Sequence, residues 1–290
     1  MTTVGVTGAT GQVGHWIATH LLDRGYGVVT LGRAPSRLPA PHRAYALGDP
    51  APDLSGIDAL VHAAFSHVPG RYRGGEGDDP DGFLRLNRDG TLRLFDAARA
   101  QGVARVLFLS SRAVYGGWPP GTPLDEALPP RPDTLYGDAK FEAEQALAAL
   151  DGVEGTSLRA TGIYGPPIPG LPHKWDALLD AFHEGAPIAP RAGTELHADD
   201  LAAAVALLLG LPADRLPETV CLSDILLDRR ALLTRYAAIT GLDGVLPEAA
   251  ETIPNAMRTD RIEALGWRPR GWSGLDPVLR ALAEARTGPR

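Results

Sequence analysis

Residues 7–14 read Thr7-Gly8-Ala9-Thr10-Gly11-Gln12-Val13-Gly14, between a β-branched run, Val4–Val6, and an apolar-striped segment, Val13–Arg24. The context is strand, tight turn, helix. Gly8 permits the turn, Gly11 lets a backbone approach a pyrophosphate, and Gly14 lets the helix pack close to the sheet. The helix N-terminus adds a dipole that favours phosphate. Gly8, Thr10, Gly11, Gln12, Val13 and Gly14 are therefore candidate dinucleotide contacts. The plainer alternative is a glycine-rich turn with no ligand.

Outward from this turn the chain alternates. Strands are expected at Val28–Leu31, Ala59–Ala64, Arg105–Ser110 and Thr156–Ala160, and helices at Phe83–Ala100 and Tyr136–Leu150. Such alternation implies an α/β fold, a Rossmann-type doubly wound parallel sheet whose ligands bind at the carboxyl ends of the strands. After Gly162 the texture changes. Tyr164–Pro172 is a Pro/Gly loop. Helices are expected at Trp175–Glu184, at Leu201–Leu211 with Asp199 or Asp200 as its cap, at Asp228–Thr240 and at Arg258–Gly266. Thr219–Leu222 reads as a strand extending the sheet, and the chain ends in a Trp/Pro/Gly-rich tail. Residues 1–163, with returns at about 197–224, are expected to form the dinucleotide-binding domain. Residues 164–196 and 225–290 then form a smaller, interleaved C-terminal substrate lobe. A second loop, Val68–Pro80, is rich in glycine and charge. Its Arg71 and Arg73 read as solvated, or as contacts to a ligand phosphate or carboxylate.

Composition narrows the classes. The 290 residues are 44% hydrophobic and 22% charged, with net charge -7, an ordinary globular balance that argues against nucleic acid or an anionic membrane as partner. The single cysteine, Cys221, allows no intramolecular disulfide or cysteine cluster and reads as a small buried apolar residue. No two of the eight histidines lie three or four apart, so no helical His pair chelates a metal, and none is expected. The N-terminus lacks the basic flank, apolar core and cleavage site of a leader peptide. The longest apolar run, Leu201–Leu211, is shorter than the about 20 residues that cross a bilayer. A cytoplasmic enzyme or binding protein acting on a small molecule is the expectation. Of the 28 basic residues only Lys140 and Lys174 are lysines.

Tyr136-Gly137-Asp138-Ala139-Lys140 carries the second signal. Four residues make about one helical turn, so Tyr136 and Lys140 share a face. An ammonium beside a phenol favours the phenolate and makes tyrosine a usable acid or base near neutral pH. The third signal is Ser110-Ser111, at the carboxyl end of an expected strand, where a hydroxyl faces the ligand crevice.

Together these stretches resemble the extended branch of the short-chain dehydrogenase/reductase superfamily, the NAD-dependent epimerase/dehydratase family. His62-Ala63-Ala64 resembles its motif beside the adenosine, and Asn87-Arg88-Asp89-Gly90-Thr91 its N-x-x-G-T helix. Ser111 stands four residues before Tyr115-Gly116, as the family's active-site Ser/Thr does. Arg159 with Ile163-Tyr164-Gly165-Pro166 resembles the stretch over the nicotinamide. His197–Leu201 and Leu265–Pro269 resemble later markers. The resemblance implies that Ser111, Tyr136 and Lys140 are catalytic. It groups Asp49, His62, Ala63, Ala64, Asn87, Ala160 and Ile163, with Tyr136 and Lys140, around the cofactor. It also implies a homodimer through the helices Phe83–Ala100 and Tyr136–Leu150. Plainer readings stand beside several of these. His62 can be a satisfied strand-end histidine, and Asn87 can brace helices or hold a water. His197 and Asp200 can cap a helix. Lys174 can be a solvated lobe residue or a substrate contact.

Departures from the family pattern are informative. Where an Asp or Glu would bind the ribose 2′-OH, the chain has Gly32 and Arg33, with Ser36 and Arg37 close behind. A guanidinium there suits a 2′-phosphate, so NADP is preferred over NAD as the expected cofactor. The Asn and Arg that hold a nucleotide sugar in the family's epimerases are replaced by Gly162 (or Thr161) and Gly193, which counts against a UDP-sugar. Arg112 and Ala113 follow Ser111 where 4,6-dehydratases carry Asp-Glu. The function expected is hydride transfer between nicotinamide and a carbinol or carbonyl carbon of a small polar substrate. Two readings stand behind it: a sugar or sugar-like epimerase working through a transient ketone with retained NAD, and a non-catalytic NADP-binding regulator.

Overall fold

β-branched residues crowd into runs too short for a stable helix, and between them lie longer stretches with apolar residues every three or four positions. The computed structural model describes residues 1–68, 74–252 and 254–287. The chain runs through β1 (Thr3–Thr7), α1 (Gln12–Asp23), β2 (Gly27–Gly32), β3 (His42–Ala44) and β4 (Ala59–His62). Next come α2 (Pro80–Leu84), a π turn (Arg85–Asp89), α3 (Gly90–Ala100), β5 (Arg105–Ser111), α4 (Leu135–Ala148) and β6 (Glu154–Ala160). Then follow β7 (Gly162–Tyr164), α5 (Asp176–His183), β8 (Ala192–His197), α6 (Ala198–Gly210) and β9 (Thr219–Leu222). The last elements are β10 (Ile225–Asp228), α7 (Arg229–Thr240), α8 (Asp260–Ala264) and α9 (Leu275–Thr287). Arg71 and Arg73 lie outside the described residues.

Seven strands form one parallel sheet in the order β3-β2-β1-β4-β5-β6-β9. The order reverses between β1 and β4, which opens a crevice at their carboxyl ends. Alternate residues feed the two faces. Val4, Val28, Val61, Leu107, Leu158 and Val220 pack against Ile17 and Leu21 of α1 and Leu201, Val205 and Leu208 of α6. Val29, Leu31, Leu60, Val106 and Phe108 pack against Leu94 and Phe95 of α3 and Ala143 and Leu147 of α4. Each such side chain contributes about 1.5–3 kcal/mol by leaving water.

A three-stranded sheet, β10-β8-β7, carries a separate apolar cluster with α5, α7 and α9. Its strands were not expected from the sequence, nor was β3; all are short and lie at edges or in the lobe. Helix α9 lies within the Trp/Pro/Gly-rich tail after Gly266, where no helix was expected. Leu275, Val278, Leu279 and Leu282, at helical spacing, are buried in that cluster. Of the residues expected to cap α6, His197 does so, its Nδ1 accepting the Asp199 N–H at 3.1 Å, and Asp199 and Asp200 do not. Asp200 instead accepts the backbone N–H of Arg270 at 2.9 Å and its Nε at 3.1 Å. No helix among the described residues is long and apolar enough to cross a membrane, and no three His, Cys, Asp or Glu side chains among them gather as a metal site.

The turn from β1 to α1 sets how close helix and sheet lie. A Cβ on Gly14 would stand 2.4 Å from the Gly8 carbonyl oxygen and 2.8 Å from the Ala9 nitrogen, both backbone atoms. A Cβ on Gly11 would meet only the Gly8 oxygen, at 3.4 Å. Gly14→Ala is therefore expected to lower unfolding free energy by about 1–3 kcal/mol, and Gly11→Ala by less than about 1 kcal/mol. Urea unfolding of both variants measures this; equal losses would show that the contact at Gly14 does not limit packing.

Candidate active site

Gly8 has φ +75°, and a Cβ there would lie 2.9 Å from the Ala64 nitrogen, so the turn packs directly on the segment after β4. Gly11 is the N-cap of α1 and offers no side chain to the first-turn N–H groups. Thr10 and Gly11 are exposed and Val13 is half-buried. The side-chain nitrogen Nε2 of Gln12 is buried without a partner. Uncapped N–H groups, an open glycine and an orphaned amide donor fit the pyrophosphate of a dinucleotide.

The opposite wall is held by a chain of hydrogen bonds. Thr7 Oγ1 accepts the N–H groups of Ala63 at 3.1 Å and Ala64 at 3.0 Å, so its own proton goes to His62 Nδ1, 2.8 Å away. His62 Nε2–H then donates to Thr91 Oγ1 at 2.9 Å, which donates to the Asn87 carbonyl at 2.5 Å. His62 is fully buried, and burial, then the nearby Lys140, push its pKa down to about 3. Asn87 donates to the carbonyls of Ser66 at 2.7 Å and Phe83 at 3.0 Å and accepts the Ser66 N–H at 2.7 Å. The side chains of His62 and Asn87 are thus engaged in bonds within this wall. Their bonds fit the plainer readings of a satisfied strand-end histidine and an asparagine that braces its surroundings, and Ala63 and Ala64 are the half-buried residues of that segment.

Ser111 ends β5, and Lys140 of α4 bonds to the Leu109 carbonyl two residues before it. Register pairs Ser111 with Ala160 of β6, itself buried, while Ile163 of β7 is half-buried. Ser111 Oγ accepts the Ala113 N–H at 3.1 Å, which leaves its own proton to donate. Helix α4 starts at Leu135, capped by Thr134, whose hydroxyl accepts the Gly137 N–H at 3.1 Å. Tyr136 stands half-buried in the first turn, and the buried Lys140 lies one turn on, with Nζ 6.0 Å from the Tyr136 ring centre. Nζ donates to the Leu109 carbonyl at 2.6 Å and sits 4.6 Å from the rings of both Phe65 and Phe108. Phe65 also packs edge-on against Tyr136 at 4.9 Å. Burial pulls the Lys140 ammonium down to about 7, and Glu144, four residues on, partly restores it.

Three features here escaped the sequence reading: Phe65, the Ser110 bond to Glu144, and the buried pair of Glu144 with Arg159. Glu144 does follow Lys140 at the spacing by which Lys140 follows Tyr136, and that was its available signal. Cys221 is buried, its thiol 3.1 Å from Tyr115 Oη and pushed up to about 12, chiefly by burial.

At the other end of the crevice, Arg33 follows β2 and is exposed. Arg37 is exposed too, with Nη2 so placed that a Cβ on Gly170 would lie 2.9 Å from it. Between them and the glycine turn is a cavity of about 170 Å³ that Thr10, His15, Ser36, Arg37 and Leu171 help to line. Burial, then Arg37, lowers the His15 pKa. Asp49 lies further along, exposed, and accepts the Ala46 N–H at 3.0 Å.

A glycine cradle at the sheet's switch point and a Tyr/Lys helix at its carboxyl edge define a nucleotide-binding α/β protein of Rossmann type. The chain matches the NAD dependent epimerase/dehydratase family over residues 4–223, and it belongs to that family. It is 35% identical over 179 residues to a 3 beta-hydroxysteroid dehydrogenase/Delta 5-->4-isomerase of Mycobacterium tuberculosis, covering 55% of this chain and 46% of that one. It is 31% identical over 175 residues to a UDP-glucose 4-epimerase of Corynebacterium glutamicum, covering 55% and 52%. The chain thus spans about half the length of these relatives. The fold is that of the Thermus thermophilus UDP-glucose 4-epimerase solved with NAD, with TM-score 0.79 at 23% identity over 99% of this chain and 100% of that one.

The buried ammonium has a consequence for stability. Lys140 binds its proton more weakly in the fold, near pH 7, than in the unfolded chain, near 10.5. Between those values the unfolded chain holds the extra proton, so stability from this group rises with pH. Lys140→Met should stabilise the ligand-free protein most below about pH 7. The gain should shrink toward alkaline pH by up to about 1.4 kcal/mol per unit. Urea unfolding across that range measures it; a gain independent of pH would mean that the amine titrates as it does in water.

Proposed function

We propose that this chain is an NADP(H)-dependent oxidoreductase acting on a carbinol or carbonyl carbon of a small polar substrate. The observation that carries this reading is Lys140 Nζ, one helical turn from Tyr136 and fixed by two aromatic rings and by the Leu109 carbonyl, two residues before Ser111 on β5. When bound, the nicotinamide supplies or takes up the hydride at C4. Tyr136 gives its phenolic proton to the oxygen of a ketone as it becomes an alkoxide, or removes it in the reverse direction. The Lys140 ammonium stabilises the resulting phenolate. Ser111, whose oxygen is already engaged by Ala113, turns its proton to the same substrate oxygen and holds the carbonyl in line. The first turn of α1 and Gln12 hold the pyrophosphate. Without the acidic pair after Ser111, elimination of water has no acid at that position.

Tyr136→Phe should lower turnover by at least about 10²-fold while cofactor affinity changes little. Stopped-flow NADPH oxidation with a carbonyl panel, together with cofactor titration, tests this. Full turnover in the variant would end the reading. Cofactor retained through purification and never exchanging would instead favour the epimerase relatives' chemistry.

The preference for NADP rests on the cavity beside β2, where Thr10, His15, Ser36 and Arg37 supply polar atoms and no lining residue is a carboxylate. Arg37 in that lining, and the exposed Arg33 just after β2, meet a 2′-phosphate with charge-assisted bonds, each about 1.5–3 kcal/mol, or roughly tenfold to a hundredfold in affinity. Dissociation constants for NADP and NAD at moderate salt, in wild type and Arg33→Ala, are the measurement. NADP should bind more tightly to wild type, and the variant should lose most of that margin. Equal affinities in wild type would mean that Arg33 stacks on the adenine and tolerates both.

A further inference from the structure

The second lysine, Lys174, lies against the start of β7. β7 begins at Gly162, two residues beyond Ala160, the strand partner of Ser111, and Gly162 is exposed. A Cβ on Gly162 would lie 2.9 Å from Glu195 Oε2 and 2.9 Å from Lys174 Nζ, so the open face of this glycine is occupied by those two groups. A Cβ on Gly193 would lie 3.7 Å from the other oxygen, Oε1. One carboxylate therefore stands between two glycines that leave it room, paired with the ammonium.

Both groups are held in place. Glu195 lies within β8, paired with Gly162 on one side and Ile225 on the other. Lys174 is fixed through its neighbours. His173 donates its backbone N–H to Asp176 at 2.6 Å, and its Nδ1 accepts the Trp175 N–H at 3.2 Å. Trp175 stacks on Tyr164 at 5.2 Å. The side chains keep 24% and 13% of their surface, enough to meet a ligand. Burial raises the Glu195 pKa, and Lys174 and, less, Arg191 pull it back. Glu195 Oε1 accepts no hydrogen bond among the described residues, and the ammonium has two N–H groups beyond the one given to Oε2.

We propose that Lys174 and Glu195 are the specificity-determining wall of the substrate cleft, selecting an uncharged, hydroxyl-bearing carbonyl or carbinol compound and refusing a diphosphate. Lys174 and Glu195 cancel, so the pair itself offers a dianion no net attraction, and Arg191, the further cation that acts on Glu195, is exposed, where solvent and salt screen it. A phosphate reaching Lys174 must displace or crowd the carboxylate, and like charges so placed repel strongly. A hydroxyl suits both partners: its oxygen accepts from Nζ and its proton goes to Oε1. The assignment rests on the proposed placing of the substrate at Ser111 and Tyr136.

The test is calorimetric titration with UDP, in saturating NADP or NAD to keep the probe from the nucleotide cradle. Wild type should show no saturable binding below about 1 mM. Glu195→Gln, which keeps shape and frees the ammonium, should gain at least about tenfold in UDP affinity. Glu195→Asp should keep the refusal. Micromolar binding to wild type overturns the proposal, as does a folded Glu195→Gln that gains less than about tenfold. Should that variant fail to fold, the wild-type titration decides. None of these titrations depends on turnover, so a fully active Tyr136→Phe would end the oxidoreductase reading without altering them.

Discussion

A buried ion pair holds the working edge of the sheet together. Arg159 of β6 donates from Nη2 to Glu144 of α4 at 2.6 Å and from Nε to both carboxylate oxygens at 3.1 Å. Ser110 of β5 donates to the same carboxylate. Arg159 Nη1 reaches Tyr115 Oη at 2.9 Å, which donates to the Asp125 carbonyl at 2.6 Å. Burying two charges is costly, and such a pair contributes little net stability compared with apolar packing. Removing one partner, however, strands the other, so the arrangement tolerates little displacement. Its effect is positional. Ser111 and Leu109 flank Ser110, and Tyr136 and Lys140 lie two turns and one turn before Glu144. The pair therefore fixes the hydroxyl, the phenol and the ammonium relative to one another.

The cofactor end rests on a different device. The Thr7–His62–Thr91–Asn87 chain uses every donor once, which determines that His62 carries its proton on Nε2. A second proton would set two donors against each other at Thr7, in agreement with the depressed pKa of the ring. Through Asn87 the chain continues to Ser66, and so to the loop that carries Phe65 against Lys140. The π turn at Arg85–Asp89 places Asn87 on this side. The glycine turn and the Tyr/Lys helix are thus joined by bonded contacts across the crevice.

The sheet was legible because its central strands are buried on both faces and so read as apolar runs, and because Gly8 and Gly14 stand where only glycine fits. Tyr136 and Lys140 were legible as a helical spacing. The strands β7, β8 and β10 were not: Gly162–Tyr164 and Ala192–His197 contain glycines and lack an apolar run. Their pairing is set by the lobe's own packing. Helix α9 was hidden behind Trp272 and Pro277, although its apolar spacing is regular. His62 and Asn87 were legible as positions in the chain, and their bonding partners were not. A sequence motif marks a position near a ligand, whereas only the bonding pattern tells a wall from a contact. Phe65 and Glu195 carried no motif, since an aromatic after a strand and an acid within one are common.

The sparing use of lysine has a physical explanation. Guanidinium keeps its proton under all ordinary conditions and needs a broad planar slot. The slot at Lys140, closed by two rings and one carbonyl, suits a compact ammonium whose proton affinity burial can lower. At Gly162 the constraint is space. A fork would extend past the single carboxylate, while an ammonium fits over the bare Cα and keeps donors free. Arginine serves everywhere else, in Arg105, Arg159 and Arg270, where the task is to tie strands and helices through several fixed bonds. In the proposed function the two lysines divide the work, Lys140 beside the reacting oxygen and Lys174 toward the remainder of the substrate. The first requires a proton that environment can tune. The second requires a charge small enough to share its carboxylate with an incoming hydroxyl.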